Sequence, residues 1–164
     1  MDVQESMQHI FQQHNKKAPA RCKSVIRNSI LANLQLESAS LQGDHQLLDE
    51  FIPISRHSDC VRWEQLVEPI QPKENYKNVY LKSLFASNGQ ELTLIWAKQL
   101  IPEEVHSDVD ESFLLLEGTV DCFIEEDIFH MKKGDFMRIP LGISHKIMVT
   151  SATPAKAILS RVQL

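Results

Sequence analysis

The chain has 164 residues, 43% hydrophobic and 24% charged, with a formal net charge of -5 at pH 7. That is the length of one domain with enough apolar side chains for one sizeable core, and an acidic chain without a Lys/Arg cluster argues against a nucleic-acid partner. Only five glycines are present, about half of average usage, which excludes a glycine-rich nucleotide-binding architecture, a collagen-like chain and a Gly/Ser linker.

The three cysteines, Cys22, Cys60 and Cys122, are widely spaced and form no C-x-x-C. Neither a disulfide framework nor a thiolate zinc site is signalled, and a reduced, cytoplasmic setting fits. The N-terminus is polar, and no apolar run approaches the roughly 18 residues of a membrane span, so no membrane partner is expected.

Helical spacing dominates the first third of the chain. Val3, Met7, Ile10 and Phe11 fit one face of a short helix, with Asp2 as its N-cap. Cys22, Val25, Ile26, Ile30, Leu31 and Leu34 fit a longer one. The basic residues from Lys16 to Arg27 read as its solvated side. Leu47, Leu48, Phe51 and Ile52 suggest a third helical segment, capped by Asp44 and ended by Pro53. Residues 1–55 are therefore expected to be a helical N-terminal segment, and residues 56–164 a β unit. Val61–Leu66, around Trp63, suggests an added strand, and residues 67–76, with Pro69 and Pro72, a loop.

The pattern then becomes β. Asn78–Ser87 and Gln90–Leu100 are rich in β-branched and aromatic residues, and Asn88-Gly89 between them is a strong hairpin signal. Ser112–Glu117, Thr119–Glu125, Ile128–Lys132, Phe136–Ile139, His145–Thr150 and Ala155–Val162 follow, separated by turn residues. Short strands with frequent turns indicate a sandwich or small barrel. Phe113–Leu116 is apolar on both faces, so its outer face needs a cover: another sheet edge, the N-terminal helices or a second subunit. A homodimer is expected on this ground.

Metal-type side chains cluster twice on the β half. The first cluster is Glu104-Val-His106-Ser-Asp108-Val-Asp110-Glu111, with Gly118 six residues further on. The second is Gly134, five residues, Pro140-Leu-Gly142, two residues, His145. Positions 104 and 106 share a face of an extended segment. Glu111 heads a row with Phe113 and Leu115, and His145 one with Ile147 and Val149. Donors at the heads of apolar rows suit a metal at the mouth of a small barrel. His106, Glu111 and His145 form a two-His, one-carboxylate set, the pattern of non-haem Fe(II) sites. Glu104 is a fourth candidate and Asp108 its rival.

These two motifs resemble those of the cupin superfamily over residues 75–164. The second matches at Gly134, Pro140, Gly142 and His145 and departs only at its final Asn, here Val149. The first matches at His106, Glu111 and Gly118 and departs at the first ligand, where Glu104 replaces His. Lys98 stands where a Gly usually precedes that pair. The resemblance implies a mainly β fold, a double-stranded β-helix or jelly-roll barrel, here with an N-terminal helical segment. It implies a divalent metal (Fe²⁺, Mn²⁺, Zn²⁺ or Ni²⁺) on Glu104, His106, Glu111 and His145. Two carboxylates and two neutral imidazoles on a divalent ion sum to zero charge, against +1 for three His and one Glu. The swap is expected to favour harder ions such as Mn²⁺ or Fe²⁺.

Arg138, just ahead of Pro140, and Phe113 are candidate substrate contacts, Arg138 for an anionic group. His130 reads as a strand residue and Cys122 as a buried thiol. The resulting expectation is a metal-binding protein acting on a small-molecule ligand, with a dioxygenase as the leading reaction. One alternative is a regulatory module. Helices followed by a cupin barrel resemble the layout of anti-sigma factors that sense oxidants, which implies a protein partner for the N-terminal helices. The other is a metal-free, ligand-binding barrel.

Overall fold

Residues 47–164 are described by a computed structural model. The helices expected around Val3–Phe11 and Cys22–Leu34 lie outside the described residues.

The expected third helix does not form over 47–55. That stretch is irregular, and Leu48 N–H donates to the Leu84 carbonyl (3.0 Å). The helix forms instead at Cys60–Val67 (α1), where a strand was expected. Asp59 supplies the cause, since its carboxylate accepts from the Val61 and Arg62 N–H groups and caps the first turn. Trp63 and Val67, four residues apart, then fall on one buried face of the helix.

Nine strands follow: β1 (Val79–Ser87), β2 (Gln90–Ala97), β3 (Leu100–Glu104), β4 (Val109–Glu117), β5 (Thr119–Ile124), β6 (Asp127–Lys132), β7 (Phe136–Ile139), β8 (His145–Val149) and β9 (Ala155–Gln163). They form a five-stranded sheet, β1-β2-β9-β4-β7, and a four-stranded sheet, β3-β8-β5-β6. Every pairing is antiparallel. The stretch read as one strand over Gln90–Leu100 is in fact β2 and the start of β3. Asn78 clamps the crossing between sheets: its side chain accepts from Gln99 N–H (2.9 Å) and donates to the Leu100 carbonyl (2.6 Å). Strand β3 tolerates Pro102 because it lies at a sheet edge, where a missing N–H breaks no central ladder.

The register of the five-stranded sheet sorts its side chains into two layers. Leu92, Leu94, Leu114, Leu116 and Ile158 are fully buried on one face and cluster with Leu48, Ile54, Trp63 and Val67. Residues 47–54 and α1 thus cover the outer face of Phe113–Leu116 within the chain. Each large apolar side chain so buried contributes about 1.5–3 kcal/mol. The opposite face looks toward the second sheet, with Glu111, Phe113 and Leu115 on β4 paired to Arg161, Leu159 and Ala157 on β9.

Gly118, between β4 and β5, has φ +81°, and an added Cβ would lie 2.7 Å from Ser151 Oγ and 3.1 Å from Ala155 Cα. Gly134 has φ +89° and open space around it. Gly118→Ala is expected to lower stability by about 1–3 kcal/mol and by clearly more than Gly134→Ala, which carries the conformational cost alone. Urea unfolding of the two variants decides this; equal losses would contradict the close approach.

Cys122 is fully buried, and burial, then the nearby Glu111 charge, push its thiol up to about 12. Only the thiolate is reactive. Native protein treated with iodoacetamide at pH 8 should therefore leave Cys122 unmodified, with full modification in urea, as read by peptide mass mapping.

Candidate metal centre

Four strands deliver the polar side chains at one end of the sheets. Strand β8 brings His145, opposite Glu104 of β3. Ile101 pairs with Ile147 and Glu104 with His145, so one extra residue is accommodated on β3. Without this bulge the alternation from Ile101 would turn residue 103 inward. With it, Glu104 shares the face of His145, as bulges beside functional sites commonly arrange. Glu103 instead contacts the Ser144 hydroxyl. His106 follows β3, and its carbonyl accepts from Gly142 N–H at 2.6 Å. Gly142 has φ +71°, a left-handed conformation that glycine adopts without Cβ strain. The Pro140–Gly142 turn is thereby tied to the His106 backbone.

The ligand atoms of Glu104, His106 and His145 all lie within 4.8 Å of one another. His106 Nε2 is 3.0 Å from Glu104 Oε2 and 3.3 Å from Glu111 Oε2, and His145 Nε2 is 3.4 Å from Glu111 Oε1. The two imidazole rings are tilted at 51° with centroids 5.4 Å apart. Glu111 and His145 are buried, and Glu104 and His106 half-buried. Asp108 is exposed; Glu104 and Glu111 are the carboxylates beside His106.

These donors fit a divalent ion. His145 Nδ1 lies 3.3 Å from the Ile143 carbonyl, a bond that needs the proton on Nδ1. A neutral ring then offers only a lone pair at Nε2, facing a carboxylate oxygen. His106 Nε2 is buried without a properly directed hydrogen-bond partner, its carboxylate neighbours being close but off the ring's bonding direction. Lone pairs converging on one point call for a cation or a proton between them. Contact with Glu104 raises the His106 pKa, opposed by burial, helped by Glu111 and opposed by Arg161. Burial would push the Glu111 carboxyl up, but His145, Arg161 and His106 together hold it down at about 2.

The fifth member, Arg161 on β9, is not in either motif. Its Nε donates to Glu111 Oε2 at 2.7 Å and its Nη2 to Glu104 Oε2 at 3.3 Å. One signal for it existed in the sequence. Arg161 heads the row of Leu159 and Ala157, as Glu111 and His145 head theirs. Arg138 lies elsewhere: it pairs with Ser112 on the far face, and its guanidinium meets both Asp110 oxygens at 2.7 and 2.8 Å. Its expected contact with an anionic substrate at this site is therefore corrected. Phe113 faces inward two residues from Glu111 and is buried. Thr93, Ile95, Ile147 and Leu159, inward-facing on β2, β8 and β9, are only half-buried, so the interior beside the site keeps an apolar, reachable wall. His130 faces away and meets Asp121 at 2.7 Å. Lys98 donates to the Tyr76 carbonyl. Among the described residues no helix is long and apolar enough to cross a membrane.

The family model described as "Cupin domain" matches residues 92–160. No curated protein sequence matches the chain. Solved structures do. The cupin domain of Cnp3 from Schizosaccharomyces pombe superposes with TM-score 0.54 at 15% identity, covering 60% of this chain and 72% of its own. A predicted oxalate decarboxylase from Thermotoga maritima gives 0.50 at 18% identity, covering 52% and 81%. An RmlC-like cupin from Shewanella frigidimarina gives 0.50 at 14% identity, covering 59% and 86%. At these identities the likeness is one of fold, and it agrees with the domain match over residues 92–160 and with the strand order: the β unit has a cupin fold.

Proposed function

We propose that the protein is a metal-dependent cupin enzyme acting on a small molecule, with a dioxygenase-type oxidation as its reaction class. The convergence of the Glu104, His106 and His145 ligand atoms within 4.8 Å carries this reading. A carboxylate and two imidazoles with open positions are the ligand set of non-haem Fe(II) oxygenases. A bound divalent ion supplies Lewis acidity there, and Fe²⁺ also supplies redox chemistry toward O₂. Insertion of both oxygen atoms into an organic substrate needs no further reductant. A neighbour described as a predicted oxalate decarboxylase supports an enzymatic reading of the fold, though fold alone does not dictate chemistry.

The chain's own side chains do the positioning. The Ile143 carbonyl orients His145 so that Nε2 points at the site, the outer-shell arrangement that metal-binding histidines use. The β3 bulge turns Glu104 inward. Half-buried Ile95, Ile147 and Leu159 offer an apolar wall for the body of a substrate, which suits a ligand pocket with few polar groups.

Protein purified anaerobically without chelators and supplied with Fe²⁺ or Mn²⁺ should hold near-stoichiometric metal. His106→Ala should weaken binding by at least about 10–100-fold, the loss that even an outer-shell partner produces. Oxygen uptake with a panel of thiols, phenols and diketones should depend on Fe²⁺ loading. No metal in the wild type, or unchanged metal in His106→Ala, would sink the assignment, and metal without oxygen uptake would remove the dioxygenase class.

A further inference from the structure

The Arg161 guanidinium is the group at this site that the motifs do not account for. It is tied to two carboxylates at once, by Nε to Glu111 Oε2 at 2.7 Å and by Nη2 to Glu104 Oε2 at 3.3 Å. Its backbone lies in the middle of the five-stranded sheet, with Glu91 of β2 opposite on one side and Glu111 of β4 on the other. The side chain therefore starts on the inward face beside Glu111 and is held there by the register. Glu111, at 6% side-chain exposure, is the better buried of the two carboxylates, and it is Glu111 that takes the shorter bond. The ligand atoms of Glu104, His106 and His145 all converge within 4.8 Å, whereas Glu111, 3.3 and 3.4 Å from the two imidazoles, has its Oε2 taken by Arg161.

We infer that Arg161 holds Glu111 out of the metal's ligand set and adds to the site the positive charge that Glu104 removes, leaving a three-residue centre suited to an anionic ligand. This rests on the metal-binding reading above. The charges follow directly. Counted over the charged side chains in direct contact, with the exposed Glu91 outside that set, Glu104, Glu111 and Arg161 sum to -1, so a divalent ion brings the site to +1. Without the guanidinium the sum would be zero. Arg161 thus restores the net charge of a three-His, one-Glu centre in a chain where a carboxylate occupies the first position. An Arg side chain carries five N–H donors, and two of them are engaged by Glu111 and Glu104. The side chain is 28% exposed on the inward face, so the rest of the fork can meet a carboxylate beside the ion, as guanidinium groups do well.

The test is Co²⁺ titration, read by visible absorption and by competition with a chelator of known affinity. The proteins are wild type, Glu104→Gln, Arg161→Gln, and the double variant Glu111→Gln/Arg161→Gln. Glu104→Gln should lose at least about 10-fold in affinity. The double variant should bind at least as tightly as wild type. Arg161→Gln should bind more tightly than wild type, with a changed Co²⁺ spectrum, because Glu111 is released to the ion. Acetate should perturb the wild-type Co²⁺ spectrum and should bind more weakly to Arg161→Gln. A double variant as weak as Glu104→Gln would overturn the inference. So would an Arg161→Gln variant with unchanged affinity and spectrum, or acetate binding indifferent to Arg161. A single variant that circular dichroism shows to be unfolded leaves the decision to the double variant, which removes both charges of the pair together. Failure of every protein to bind Co²⁺ would sink the metal-binding reading and this inference with it. Wild-type binding that the double variant loses overturns this inference alone.

Discussion

The pairing of β4 with β9 is the constraint on which the rest depends. It sets Glu111 against Arg161, Phe113 against Leu159 and Leu115 against Ala157. Because alternate side chains point to opposite faces, the same register sends Leu114, Leu116 and Ile158 to the other side. There they meet Trp63 and Val67 of α1 and Leu48 and Ile54 of the preceding stretch. One ladder thus builds both the covered outer core and the polar head of the interior. A slip of one residue would invert both layers at once, exposing the leucines and burying the wrong charges.

The ion pair at the head of this ladder joins a buried carboxylate to a half-buried guanidinium. Taking a carboxylate and a guanidinium out of water costs several kcal/mol per ion, and the attraction between them offsets this only when the geometry is good. The Glu111–Arg161 contact is direct, at 2.7 Å, and His106 and His145 approach the same carboxylate. Removing one partner alone would leave a buried charge unpaired, at a cost of about 3–5 kcal/mol. That asymmetry penalises every pairing of β9 that does not bring Arg161 to Glu111. Lys156 plays a smaller part at the other end of the strand, where it meets Glu117 at 3.2 Å with its side chain 8% exposed.

Much of this was legible in the sequence because it rests on local rules. The Asn88-Gly89 turn, the glycines at 118, 134 and 142 and the alternating strands from Ser112 onward are each specified by neighbours within a few residues. Glu111 and His145 were legible as polar heads of apolar rows. What escaped needed either competition or pairing. Val61–Leu66 has the apolar content of a strand, and the Asp59 cap together with burial of Trp63 and Val67 tips it to a helix. Strand β3 was hidden by Pro102 and its acidic end, which are acceptable only at a sheet edge. Arg138 reads as a pocket residue from its place before Pro140, yet strand parity turns it to the far face, where Asp110 takes it. The cover of Phe113–Leu116 was open between three sources, and residues 47–54 with α1 supply it.

Arg161 shows why the charge of a candidate metal site cannot be summed over its motif alone. The two motifs span β3 to β8 and offer two carboxylates and two imidazoles, which neutralise a divalent ion. The countercharge comes from β9, 50 residues after Glu111, on a strand that neither motif includes. Coulomb interactions in a partly buried site act across several ångströms without regard to chain order. A guanidinium within 3.3 Å of one carboxylate and 2.7 Å of another is therefore as much a part of the candidate site as either carboxylate. Replacement of a neutral imidazole by Glu104 lowers the charge of the site by one, and Arg161 raises it by one. The negative charge of Glu104 and the positive charge of Arg161 offset each other across the fold, and the electrostatics of the candidate site follow from the sheet register as much as from the motif.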